Sequence, residues 1–126
     1  MSLSSLLIAG ISSVIRFCSP KQIQFLNVNE FEKQIIETKG EQLIDVCYHH
    51  EFKKHHIPNA KNIDFRSRDF RKEIDKLDKT KPILIYCLSG VRSKLTAIMC
   101  HKAGFKIIYE LDKRMKGWIK AGKAIE

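Results

Sequence analysis

The sequence predicts an α/β fold around a parallel sheet, because beyond Pro20 short apolar runs alternate with amphipathic helical stretches. Two further observations support that class. "PILIYC" (82–87) is apolar almost throughout, as strands buried on both faces are. With 126 residues, 44% of them hydrophobic, the chain has room for one domain with a genuine core. No repeat or low-complexity stretch interrupts the pattern.

The first element is the least regular. "MSLSSLLIAGISSVIRFCSP" sets Leu3, Leu6, Leu7, Ile11, Val14 and Ile15 at helical spacing with serines between them. This apolar part runs about 13 residues before Arg16, and a bilayer crossing needs about 20. No basic residue precedes it, which weakens a signal-peptide reading. Residues 1–22 therefore keep three readings: a lead-in packed on the domain, a surface or partner-binding helix whose residues 3–15 touch a membrane, or a targeting or anchoring segment. Residues 23–126 are the expected domain.

Within that domain Asn27 stands three residues before Glu30, a variant of the capping box, and Phe31, Ile35 and Ile36 follow on one face before a stop near Gly40. "QLIDV" (42–46) reads as a buried strand and "HHEFKKHHIPNA" as a short helical turn ending before Pro58. "DFRKEIDKL" (69–77) spaces Phe70, Ile74 and Leu77 as a helix does. After the strand at 82–87, "SKLTAIMCHKAG" (93–104) predicts a helix with Leu95, Ile98 and Met99 inward and Gly104 as its stop, and "KIIYEL" predicts another strand.

Charge and cysteine content narrow the function. The chain carries 23 Lys and Arg against 14 Asp and Glu, a net +9 that draws small anions. Basic residues are not interleaved with aromatics as on a base-stacking surface, so nucleic acid is not an expected partner. Cys18, Cys47, Cys87 and Cys100 form no CxxC pair, which speaks against structural zinc. A chain with this much core does not need disulfides, and the composition suits a reduced, cytoplasmic setting; the alternative is membrane association or export through the N-terminal segment. His49, His50, His55 and His56 cluster near Cys47, but paired histidines on a short turn are more often surface residues than metal ligands.

The chemistry concentrates in "CLSGVRS" (87–93). A cysteine that ends a buried strand before a helix meets unpaired backbone N–H groups and the positive end of the helix dipole, which favours thiolate. Gly90 lets the chain turn with amides inward as an anion nest, and Arg92 adds a fixed charge able to grip an oxyanion. Attack on sulfur calls for a soft thiolate nucleophile, which serine does not supply.

Four ordered motifs carry a family resemblance over about residues 25–122: "LIDV" at 43–46, "EFKKHHIPNAKNI" at 51–63, "CLSGVRS" at 87–93, and "AGFKIIYEL" at 103–111 followed by Trp118. The chain resembles the single-domain rhodanese-like sulfurtransferases. "EFKKHHIPNAKNI" is similar to that family's E-[FY]-x-x-G-H-I-P-G-A-x-N-I segment. The resemblance implies a three-layer fold, with a central mostly parallel sheet of about five strands and helices on both faces. It implies that Cys87 carries a persulfide, that Leu88, Ser89, Gly90, Val91 and Arg92 form the loop binding the outer sulfur, and that no metal or organic cofactor is needed. Ser93 is a candidate accessory residue. The implied reaction moves a sulfane sulfur from thiosulfate or a related small anionic donor to a thiol, a protein cysteine or cyanide.

Related cysteine phosphatases use C-x5-R, one residue longer than the C-x4-R from Cys87 to Arg92, and the smaller ring suits one sulfur better than a phosphoryl group. Phosphatase or arsenate reductase chemistry is thus a third reading, behind transfer and behind a persulfide-carrying or regulatory interaction domain with little turnover. Three departures stand out. Cys47 replaces the arginine common after "LIDV", as a tolerated change or as a thiol that resolves the persulfide. Asp112, Lys113 and Arg114 replace paired glycines, either as solvated charges or as extra anion contacts at the rim. Leu88 brings no second charge into the loop. A monomer or weak dimer is expected.

Overall fold

The computed structural model describes residues 23–126; the three readings of the N-terminal segment fall outside these residues. The elements run β1 (Ile23–Leu26), α1 (Val28–Glu37), β2 (Leu43–Asp45), α2 (His49–Lys54), β3 (Lys61–Asn62), α3 (Phe70–Asp75), β4 (Ile83–Tyr86), α4 (Val91–Lys102), β5 (Ile108–Leu111) and α5 (Arg114–Lys120). The five strands form one sheet in the order β1-β5-β4-β2-β3, every pair parallel. This is the three-layer α/β architecture.

Alternation along the central strand builds both layers. Ile83, Ile85 and Cys87 face a core shared with Phe70 and Ile74 of α3 and Ala97 and Cys100 of α4. Leu84 and Tyr86 face the other, with Phe31 of α1 and Met115 and Trp118 of α5. All four β4 side chains are fully buried. At roughly 1.5–3 kcal/mol of hydrophobic stabilisation per buried aliphatic side chain, this strand is the anchor of the domain.

The capping box of α1 is formed: Glu30 N–H donates to Asn27 Oδ1 at 2.8 Å and Asn27 N–H to Glu30 Oε1 at 2.9 Å. Its packing face is Val28, Phe31 and Ile35. Ile36, expected on that face, is 71% exposed, because each helical step turns the next residue about 100° away.

The larger correction is in α4. Its buried residues are Ser93, Thr96, Ala97 and Cys100; Ile98 and Met99, half-buried, pack against that core, but Leu95 is 51% exposed. The Ser93 hydroxyl lies 3.3 Å from Cys87 Sγ and donates to Glu110 of β5, so the Ser93 side chain faces the sheet. Residues four and seven positions on then face inward with it, and Leu95 points away. Small side chains on the inner face let the helix sit close to the strands.

Candidate active site

The thiol lies at the carboxyl edge of the central strand, where open parallel sheets form their binding crevices. Cys87 follows β4 directly, and Gly90, with φ of +79°, turns the chain into α4. That turn aims amides inward. Gly90 N–H donates to Cys87 Sγ at 2.8 Å and Ser93 N–H at 3.3 Å, while Ser93 Oγ stands 3.3 Å and Ser89 Oγ 3.7 Å from the sulfur. Cys87 is wholly buried, with Leu88, Ser89 and Val91 exposed around the mouth of the loop. Such a ring of donors stabilises negative charge on sulfur.

Arg92 makes its contacts within the protein. Its guanidinium is taken by Glu51, with Nη1 2.7 Å from Oε1 and Nη2 3.4 Å from Oε2. Its Nε donates to Ser89 Oγ at 3.2 Å, and its carbon centre lies 4.2 Å over the Tyr48 ring. Arg92 is thus a brace tying the loop to α2, where Glu51 also accepts the Tyr48 N–H at 2.8 Å. Burial alone would raise Glu51; the Arg92 and Tyr48 hydrogen bonds outweigh it and hold the carboxyl below its usual range.

A pH effect follows. A carboxyl lowered by folding adds stability above the unfolded value of about 4.3, and that stability is lost as pH falls through the folded value. Glu51→Gln should therefore destabilise the protein at pH 7 by about 1–3 kcal/mol, the range for breaking a charged hydrogen bond. The gap from wild type should shrink at acid pH. Urea unfolding at both pH values checks this; a gap independent of pH would show that Glu51 acts by packing alone.

Further positive charge at the mouth comes from the rim. Arg114 lies across the loop, its Nη1 3.5 Å from the Ser89 carbonyl oxygen, and its backbone takes φ of +60°, a left-handed conformation favoured by glycine. It joins Lys94 and Lys113 around an open cleft of about 380 Å³ over Ser89, Gly90 and Val91, with Asp112 as the one acid. A second cleft of about 230 Å³ lies on the other side of the loop, between Leu88, Met115 and Ile119 and the side chains of Cys47, His50 and Lys54.

Cys47 is 2% exposed, and burial together with the neighbouring Asp45 carboxyl pushes its thiol far up. His56 stacks on Phe52 with ring centroids 3.9 Å apart, and its Nδ1 is 2.9 Å from the Phe52 carbonyl oxygen. Among the described residues no three His, Cys, Asp or Glu side chains group as metal ligands, and no helix is long and apolar enough to cross a membrane.

Two participants escaped the sequence reading. Glu51 lies inside the E-F-x-x segment, but nothing local told that it reaches Arg92. Glu110, fully buried on β5, accepts a hydrogen bond from Ser93 Oγ. A charged residue inside the apolar run "KIIYEL" was the available signal for it.

Comparison with known proteins agrees with this geometry. A family model described as "Rhodanese-like domain" matches residues 27–121. The thiosulfate sulfurtransferase GlpE of Actinobacillus pleuropneumoniae is 28% identical over 93 residues, covering 74% of this chain and 84% of that protein. A tRNA uridine(34) hydroxylase of Pelagibacter ubique is 35% identical over 69 residues, which is 55% of this chain but only 22% of that protein's length. The crystal structure of the Alr3790 protein from Anabaena superposes with a TM-score of 0.69 at 19% identity, covering 80% of each chain. The parallel sheet, the thiol loop at the end of β4 and the family match over residues 27–121 together establish that this chain belongs to the rhodanese-like domain family.

Proposed function

We propose that the protein transfers a sulfane sulfur, from thiosulfate or a related anionic donor, to a thiol or cyanide through a persulfide on Cys87. The observation that carries this reading is the donor ring around Cys87 Sγ, closed by Gly90 and Ser93 N–H groups. The Cys87 thiolate attacks the outer sulfur of the donor, a new S–S bond forms, and the old one breaks with its electron pair leaving on sulfite. The persulfide then yields its outer sulfur to an acceptor and regenerates the thiolate. Lys94, Lys113 and Arg114 draw the anionic donor to the mouth, and the loop amides hold charge as it moves between sulfurs. The GlpE relative, covered over most of its length, supports thiosulfate as the first donor to try.

The test is the intact mass of the reduced protein after thiosulfate, followed by cyanide. A gain of about one sulfur atom (~32 Da), carried by the Cys87 peptide and removed by cyanide, is the expected result for a reactive thiolate. No adduct in a folded protein would overturn thiosulfate as donor. Loading from a protein persulfide instead would favour the carrier reading, and phosphate-ester hydrolysis dependent on Cys87 would favour the phosphatase reading.

A further inference from the structure

Glu110 is a carboxyl group without solvent exposure, placed one serine away from the reacting thiol. The contacts are continuous. Cys87 Sγ lies 3.3 Å from Ser93 Oγ, and Ser93 Oγ donates to Glu110 Oε2. Glu110 Oε1 has Lys94 Nζ at 3.6 Å and no hydrogen-bond partner among the described residues. Burial pushes the carboxyl up, with Ser93 and Lys94 drawing it part of the way back. A carboxyl held in this way has a proton affinity moved toward that of a thiol.

We propose that Glu110 is a positioning residue that shares one proton with Cys87 through the Ser93 hydroxyl. In the first arrangement the Cys87 S–H donates to Ser93 Oγ, and the Ser93 O–H donates to the Glu110 carboxylate. In the second, the thiol proton has passed to Ser93 Oγ and the serine proton to Glu110 Oε2. The S–H bond is broken, an O–H bond is made on Glu110, and net charge is unchanged. Every hydrogen bond in the chain has reversed. Glu110 O–H now donates to Ser93, and Ser93 O–H joins the Gly90 and Ser93 N–H groups as a third donor to the thiolate. The site forms its nucleophile without releasing a proton to solvent.

Other charges near the pair are few. Lys94 from α4 and Asp112 after β5 face Glu110, with Lys94 Nζ 3.8 Å from Asp112 Oδ1. Arg92 and Glu51 stand on the Cys87 side with Cys47, and Arg114 crosses the loop above. The packing residues of α1 lie on the opposite face of the sheet from Ile108, and so from Glu110 two residues on.

The inference takes from the proposed function only that Cys87 is the nucleophile, and its test needs no sulfur donor. The rate of Cys87 alkylation by iodoacetamide is measured against pH, with the modified peptide read by mass spectrometry. Wild type should rise in two steps separated by a flat region, since interacting groups titrate as a pair, and the rate there is about half its limit if the proton divides equally. Glu110→Gln still accepts from Ser93 but takes no proton, so it should rise in one step and run up to about twofold faster where wild type is flat. Its near-equal size and lack of charge favour folding, which circular dichroism checks. Ser93→Ala keeps both titrating groups, cuts the chain, and should slow alkylation several-fold in the flat region. A single-step wild-type profile superimposing on Glu110→Gln overturns the shared proton. Two steps without any sulfur adduct would instead remove thiosulfate transfer and leave the shared proton standing.

Discussion

Cys87→Ser is expected to keep the fold and take up no sulfur from thiosulfate, with transfer falling to the background of the uncatalysed reaction. The serine hydroxyl enters a position already supplied with N–H donors from Gly90 and Ser93, so the buried oxygen finds partners. Stability should change by about 1 kcal/mol or less, the net worth of a typical hydrogen bond. Reactivity should not survive, because a hydroxyl is a weak nucleophile toward sulfur and far less ionised than a thiol at neutral pH. The measurement is intact mass after thiosulfate beside a urea melt of the same preparation. An adduct retained by the folded variant would move the chemistry to another cysteine; Cys18 lies outside the described residues, while Cys47 and Cys100 are both buried, and burial pushes the Cys100 thiol up to about 12.

Gly90→Ala is expected to injure both stability and rate. At φ of +79° a side chain is disfavoured by roughly 1–2 kcal/mol, and an added Cβ would stand 2.7 Å from Arg114 Cδ. Arg114 can swing aside, but the backbone strain stays. Relief of that strain rotates the Gly90 peptide, whose N–H is the nearest donor to the sulfur at 2.8 Å. Removing one preorganised donor from a comparable anion hole costs about 10²–10³ in rate, so a fall of about 10² is expected here. Comparing thermal melts with thiocyanate formation from thiosulfate and cyanide separates the effects. A destabilised variant with unaltered turnover would show that this amide does not serve the reaction.

What the sequence disclosed was local. The capping box of α1, the apolar β4 and the cysteine, glycine and arginine of the loop are each written in a few consecutive residues. Partners brought in from elsewhere were not. Glu51 meets Arg92 from 41 positions earlier in the chain, and Arg114 reaches Ser89 from 25 positions later. β1 buries only Ile23 fully while Gln24 and Phe25 are exposed at the sheet edge, so it lacks the apolar signal of β4. β3 is two residues long. On α4, Ile98 and Met99 pack at the edge of the core as their spacing predicts, but Leu95 faces out and the small Ser93 faces in, because the Ser93 hydroxyl meets Cys87 and Glu110, which no local pattern shows.

Arg114 holds a backbone shape suited to glycine, with φ of +60°. An L-residue there costs about 1–2 kcal/mol, so this turn carries its charged side chain against the preference of its own backbone. The site thereby has two layers. The inner layer, Cys87 with its amides, is constrained by the path of the main chain; the outer layer, Arg114 with Lys113 and Lys94, is written in side chains that can be exchanged one at a time. Exchanging one rim side chain would change the charge at the mouth of the loop and leave the amides around the sulfur where the main chain puts them.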